Sequence, residues 1–273
     1  MAIKLGQIET RVIDCHAHVF PRALAPRVIE RFLNLSPTEV FSDGTAQGWL
    51  EHMDSSGVDI SLLLSVPTKP NQVETVNDFL RPFLTSNRFI PFASVHPKHP
   101  DPVGVIRRAS KDGFKGIKLH PLMQDFKPQD PRMFPAYDAA IEEGLVILFH
   151  AGAGMDYDAI RGSKADFDAF FDKYDYGKVV TAHLGGRHNF QDFPEFKTGW
   201  PGYIDISFSL GMMPDEYLVD LIRDFGIDNV LYGSDGPWRS ESRDLAMLAG
   251  IGLSELELEK ILYGNAARLL GLN

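Results

Sequence analysis

Val12-Ile13-Asp14-Cys15-His16-Ala17-His18 opens on two β-branched apolar residues and predicts a buried strand. Side chains on a strand alternate between faces, so Asp14, His16 and His18 share one side, with the two imidazoles about 7 Å apart along the strand. Cys15 points the other way, into packing. Neutral imidazole binds zinc and other divalent transition metals, and two rings on one face can share an ion. Two ligands do not complete a site. Taken alone, the pair suits two histidines hydrogen-bonded at a sheet end better than a metal site, so distant strands decide between the readings.

Outward from this stretch the chain alternates strands with helices. After the first strand, apolar strands are predicted over residues 59–66, 89–95, 116–119, 145–149, 179–182, 203–208 and 229–232. Helical spacing covers 21–35, 45–55, 71–84, 101–111, 131–143, 164–174, 215–225, 242–249 and 254–263, with a short piece at 266–270. Strands apolar throughout imply a parallel sheet covered by helices, and eight strand-helix units predict an α/β (β/α)8 TIM barrel as a single domain over 1–273. An open doubly wound sheet is the alternative. The barrel is preferred because His16 and His18, His96, His120, His150, His183 and Asp235 close six strands, and a barrel gathers those ends on one face. Residues 189–201, with Trp200, form the longest predicted loop, suited to a substrate lid.

The composition is that of a globular protein: 273 residues, 44% hydrophobic, 23% charged. A net charge of −10 argues against a nucleic-acid partner, which needs a basic face. No stretch is apolar for long enough to cross a membrane, and no signal-peptide core precedes the first strand. Cys15 is the single cysteine, which excludes an intrachain disulfide and predicts a reducing, cytoplasmic setting.

A catalytic zinc site offers three or four protein ligands and leaves a position for water. His16, His18, His150 and Asp235 supply such a set. Val146, Leu148 and His150 share a strand face, as do Leu231, Gly233 and Asp235, and Gly233 leaves room beneath an ion. The Asp235 carboxylate suits both a ligand and a proton acceptor, so it is expected to be catalytic. His183 remains as a general acid or base, or as a donor that polarises a substrate oxygen. Lys118 and His120 share a face of the fourth strand and are expected to meet substrate, as are Arg187, Trp238 and Arg239. Asp14 lies deeper and is read as a hydrogen-bonded structural carboxylate, whereas His52 and His99 are read as solvated.

His-x-His after the first strand, Leu148-Phe149-His150-Ala151-Gly152, Thr181-Ala182-His183-Leu184-Gly185-Gly186, Gly233-Ser234-Asp235-Gly236-Pro237 and the terminal Gly264-Asn265-Ala266-Ala267-Arg268-Leu269-Leu270 together resemble the amidohydrolase superfamily. The likeness is to the amidohydrolase-related branch that includes aminocarboxymuconate-semialdehyde decarboxylase and aromatic-acid decarboxylases. It implies one divalent metal, commonly zinc with manganese as the alternative, held by His16, His18, His150 and Asp235, with His183 as the catalytic histidine. Binuclear members carry a carboxylated lysine where Lys118 stands, and a second ion would then take His150 and His183. The expected reaction is hydrolysis of an ester, lactone or amide of a small molecule; the alternative is non-oxidative decarboxylation of an aromatic or unsaturated acid at the same site. A metal-storing scaffold and a metal-free lactonase-like enzyme are further alternatives. Barrels of this kind often form a homodimer, and that assembly is kept open.

Overall fold

The computed structural model describes every residue except 1–2, 6–7, 36–38, 155–159, 187–198 and 273. Its strands are β1 (Ile3–Leu5), β2 (Ile8–Thr10), β3 (Ile13–Ala17), β4 (Ile60–Leu64), β5 (Phe89–Phe92), β6 (Gly116–Leu119), β7 (Val146–Phe149), β8 (Val179–Thr181), β9 (Tyr203–Asp205) and β10 (Val230–Leu231). The eight predicted strands are β3 to β10. An antiparallel hairpin of β1 and β2, not anticipated from the sequence, precedes them, pairing Ile3 with Thr10.

The chain forms two compact units, one from Met1–Leu63 with Asp205–Asn273, the other from Leu64–Ile204. In the first unit β3 is flanked on both sides. It runs parallel to β4, with Ile13 opposite Ile60 and Asp14 opposite Ser61. On its other side the Cys15 amide donates to the Tyr232 carbonyl at 2.9 Å, Asp235 to His16 at 2.7 Å and His18 to Gly236 at 2.7 Å. The stretch after β10 therefore continues the ladder, and Asp235 is carried to the end of β3 by backbone bonds. Gly236 has to be glycine: a Cβ there would come within 1.9 Å of Trp49 Cη2. Trp49 is itself fixed by its indole N–H on Ser61 Oγ at 3.0 Å.

In the second unit Ala93, just past β5, pairs with Ile117 of β6. Then β6, β7, β8 and the start of β9 follow in parallel order, with Lys118 opposite Leu148, Phe149 opposite Thr181 and Thr181 opposite Ile204. Residues of β6, β7 and β8 are buried along their whole length, as strands covered on both faces must be. Tyr137 fills the space between β7 and its helices, meeting Phe149, Phe170 and Tyr174 edge-on at 5.3–5.7 Å. Asn77 ties the helix Val73–Leu80 to the end of β5: its amide donates to Ser94 O at 2.9 Å and accepts from Ser94 N at 2.8 Å.

Several predicted helices are shorter or broken. The 71–84 stretch is a helix only over Val73–Leu80, with tighter turns on either side beginning at Pro70 and Arg81-Pro82, where proline removes a donor. The first helix starts at Ala25 rather than residue 21. The 254–263 helix ends at Glu259 and widens into a π turn over Lys260–Gly264. Among the described residues no helix is long and apolar enough to cross a membrane.

Candidate metal centre

Three of the expected ligands meet at the end of β3. The His18 Nε2 lies 3.0 Å from Asp235 Oδ1 and the His16 Nε2 lies 3.6 Å from the same oxygen. The register of β3 shifts between Asp14 and Ala17, and the two ring centroids stand 5.1 Å apart, less than the roughly 7 Å backbone spacing of alternate residues along a straight strand. His16 is fully buried and Asp235 nearly so. Asp235 sits at φ 71°, in the left-handed region that a side chain other than glycine rarely occupies. Gly233, two residues earlier, lets the chain lie against His16: a Cβ there would be 2.9 Å from His16 Cβ.

These donors fit a divalent ion. Ligand atoms about 2.1 Å from one metal stand roughly 3–3.5 Å from each other, and the Asp235 oxygen lies near that spacing from each ring nitrogen, at 3.0 Å from His18 and 3.6 Å from His16; imidazole and carboxylate donors suit zinc or manganese. Behind them Asp14 accepts from His16 N at 3.0 Å, Ser234 N at 2.8 Å and Ser234 Oγ at 2.6 Å. Burial pushes its carboxyl up to about 6 despite those bonds. Asp14 thus stitches β3 to the Asp235 turn, the structural part expected of it.

Sequence reasoning missed Asp205 and Ser207. The Asp205 Oδ2 lies 2.8 Å from His16 Nδ1, and the Ser207 Oγ 3.2 Å from the same nitrogen. Asp205 Oδ1 accepts from the Ser207 amide at 3.1 Å and from the Ser207 hydroxyl. Both residues are fully buried. The signal was present in Tyr203-Ile204-Asp205-Ile206-Ser207, where polar and apolar residues alternate at a strand end as they do around His16.

The second unit gathers three histidines. His120 and His150 stack with centroids 3.9 Å apart and planes 11° from parallel. His150 Nε2 lies 3.1 Å from Ala153 O, and His150 Nδ1 lies 3.1 Å from His183 Nε2. A carbonyl only accepts, so His150 carries its proton on Nε2 and has its lone pair on Nδ1; His183 Nε2 then donates. His183 is held at φ 56° and Leu184 at φ 55°, a strained turn that aims the ring. Lys118 is fully buried on β6. His96 stands apart from the trio, its Nδ1 accepting from Lys98 N at 3.1 Å, with burial holding its pKa below the usual range.

Trp238 stacks on Phe32 at 3.7 Å, so one face of its ring is committed to packing. The Arg239 guanidinium donates to Asp244 Oδ1 at 2.6 Å and to Leu210 O at 2.8 Å. Arg187 and most of the 189–201 loop lie outside the described residues; Trp200 donates to Asp168 Oδ1 at 2.9 Å. His52 is not solvated as expected: it is half-buried, its ring 5.1 Å from that of Trp49, and burial lowers its pKa.

A sequence model described as amidohydrolase matches residues 78–272. No curated protein matches the chain by sequence. Among solved structures it is similar to the 5-carboxyvanillate decarboxylase of Sphingomonas paucimobilis, at 19% identity over 96% of this chain and 99% of that one, with a TM-score of 0.73. It is similar to a dihydroxybenzoic acid decarboxylase of Polaromonas sp. JS666, solved with manganese and 2-nitroresorcinol, at 16% identity over 97% and 98% with a TM-score of 0.73. A Pseudomonas putida protein assigned as a 2-pyrone-4,6-dicarboxylic acid hydrolase is similar at 18% identity over 97% and 99%, with a TM-score of 0.68. The likenesses show the fold, the (β/α)8 TIM barrel expected from the eight strands. With the family match covering more than half its length, the chain belongs to the amidohydrolase family.

Proposed function

We propose that the chain is a metal-dependent decarboxylase that releases carbon dioxide from a small aromatic or unsaturated carboxylic acid. The observation that carries this is its likeness to ring-acid decarboxylases along nearly its whole length. Hydrolysis, put first from the sequence, takes second place, since it is represented by a single hydrolase among these likenesses.

His16, His18, His150 and Asp235 are the proposed ligands of one divalent ion, zinc or manganese. The ion would supply Lewis-acid polarisation of a carboxylate and a neighbouring oxygen. Lys118, His120 and Arg187 are proposed to bind substrate acid groups, with Trp238 and Arg239 shaping the site from their anchors on Phe32 and Asp244. His183 holds a proton on Nε2. In the reaction the doubly protonated His183 ring would give one proton to the carbon bearing the carboxylate and be left as neutral imidazole; the carbon–carboxylate bond then breaks, its electron pair restores the unsaturated system, and carbon dioxide leaves. Solvent returns a proton to His183. Asp235 is the second catalytic group, the proton acceptor if water is the nucleophile. The lone, buried Cys15 suits a reducing cytoplasm.

The test offers manganese- or zinc-loaded protein a panel of hydroxybenzoates and unsaturated acids beside lactones and nitrophenyl esters, reading carbon dioxide and deuterium uptake from heavy water. The expected result is carbon dioxide with one deuterium at the vacated carbon, and a loss of about 10²-fold or more in His183→Ala. Lactone or ester cleavage with every carboxylate untouched would overturn the decarboxylase reading in favour of hydrolysis.

A further inference from the structure

We infer that Asp205, backed by Ser207, is a positioning residue that keeps the proton of the His16 ring on Nδ1 and so presents Nε2 as the metal-binding atom. This rests on the metal site proposed above. The geometry leaves one consistent assignment for the proton at His16 Nδ1. Asp205 Oδ1 receives the Ser207 amide and the Ser207 hydroxyl, so that hydroxyl has no proton left for His16. Asp205 Oδ2 at 2.8 Å and Ser207 Oγ at 3.2 Å both face His16 Nδ1 as acceptors, and the nitrogen between them must be the donor. In the neutral ring Nε2, on the Asp235 side, then has the lone pair.

A metal-bound histidine usually gives its other ring N–H to a carboxylate or carbonyl, which fixes the tautomer and raises the basicity of the binding nitrogen. Here the carboxylate is fully buried and its two oxygens are both taken by donors. A carboxamide cannot replace the Asp205 carboxylate, because its NH2 group would have to face either Ser207 or His16 and one of those bonds would be lost. His18 differs, its Nε2 lying directly on Asp235 at 3.0 Å. The ring of His16 is thus set from behind by a residue from β9.

The experiment uses the full-length protein labelled with ¹⁵N-histidine, zinc-loaded, with the His16 signals assigned by their loss in His16→Ala. The wild type is expected to show the proton on Nδ1. In Asp205→Asn that proton should exchange faster or redistribute, and Mn²⁺ affinity, measured by titration, should weaken by about 10–100-fold with circular dichroism unchanged. Ser207→Ala should give a smaller loss of the same kind. A wild-type proton on Nε2, or wild-type Mn²⁺ affinity in both variants, would overturn the inference even where His16→Ala abolishes binding. A wild type that binds no metal while keeping the Nδ1 proton supports the ring-setting role and overturns the metal reading instead.

Discussion

Gly233 has no space for a side chain, since a Cβ would sit 2.9 Å from His16 Cβ and 3.3 Å from Ser207 Cβ. Gly233→Ala is expected to push His16 off its position, costing about 1–3 kcal/mol in urea unfolding and weakening Mn²⁺ binding with it. A second residue gives a pH signature. Burial raises the Asp244 carboxyl to about 6, with Arg239 opposing. Its folded pKa exceeds the unfolded value, so the folded state binds more protons, and stability falls as pH rises through the window from the ordinary carboxylate value of 3.8 to about 6. Asp244→Asn cannot ionise. Its stability relative to wild type is therefore expected to improve by roughly 2–3 kcal/mol between pH 4 and 7 in paired denaturation curves. At this scale the sequence discloses what alternation controls: Asp14, His16 and His18 on one face follow from strand periodicity alone. Asp205 does not, because its meaning depends on a partner 189 residues away, and neighbouring strands are not written in local spacing.

Elements were legible where apolar period and caps agree. The helix Lys164–Phe171 begins at Ser163, whose hydroxyl accepts from Asp166 N while the Asp166 carboxylate takes the Ser163 amide at 3.0 Å. Ser163→Ala is expected to cost ~1 kcal/mol, measured by thermal unfolding, with the secondary-structure content retained. Asp166 also takes Lys127 and Gln129, at 2.9 and 3.0 Å, so truncating it should cost more than removing the serine. The broken helices were less legible. Apolar spacing runs through residues 71–84, but proline chemistry at Pro70 and Pro82 interrupts the bonding while the stripe continues. The hairpin of β1 and β2 escaped notice because each strand is three residues long, too short for alternation to stand out.

For the molecule as a whole, the count of eight strands and the fold were readable, since buried parallel strands are apolar along their length. The division into two compact units was not, because no linker or change of composition marks residues 63 to 64 or 204 to 205. A ligand that binds only the folded state stabilises it by about 2.7 kcal/mol at a hundred times its dissociation constant. Saturating Mn²⁺ is therefore expected to raise the melting temperature by roughly 5–10 °C, reversed by chelator, and to leave His16→Ala unmoved.

The first unit is assembled from both ends of the chain, and its two histidines find their carboxylate partner 217 residues after His18. On a ribosome adding about 5–20 residues per second, roughly 10–40 s pass between the emergence of His18 and that of Asp235. During that interval the nascent protein has imidazoles without their aspartate, while the whole continuous stretch of the second unit is being made. His18 and Asp235 can thus meet only after the second unit has been made, and loading of the proposed metal there would follow it.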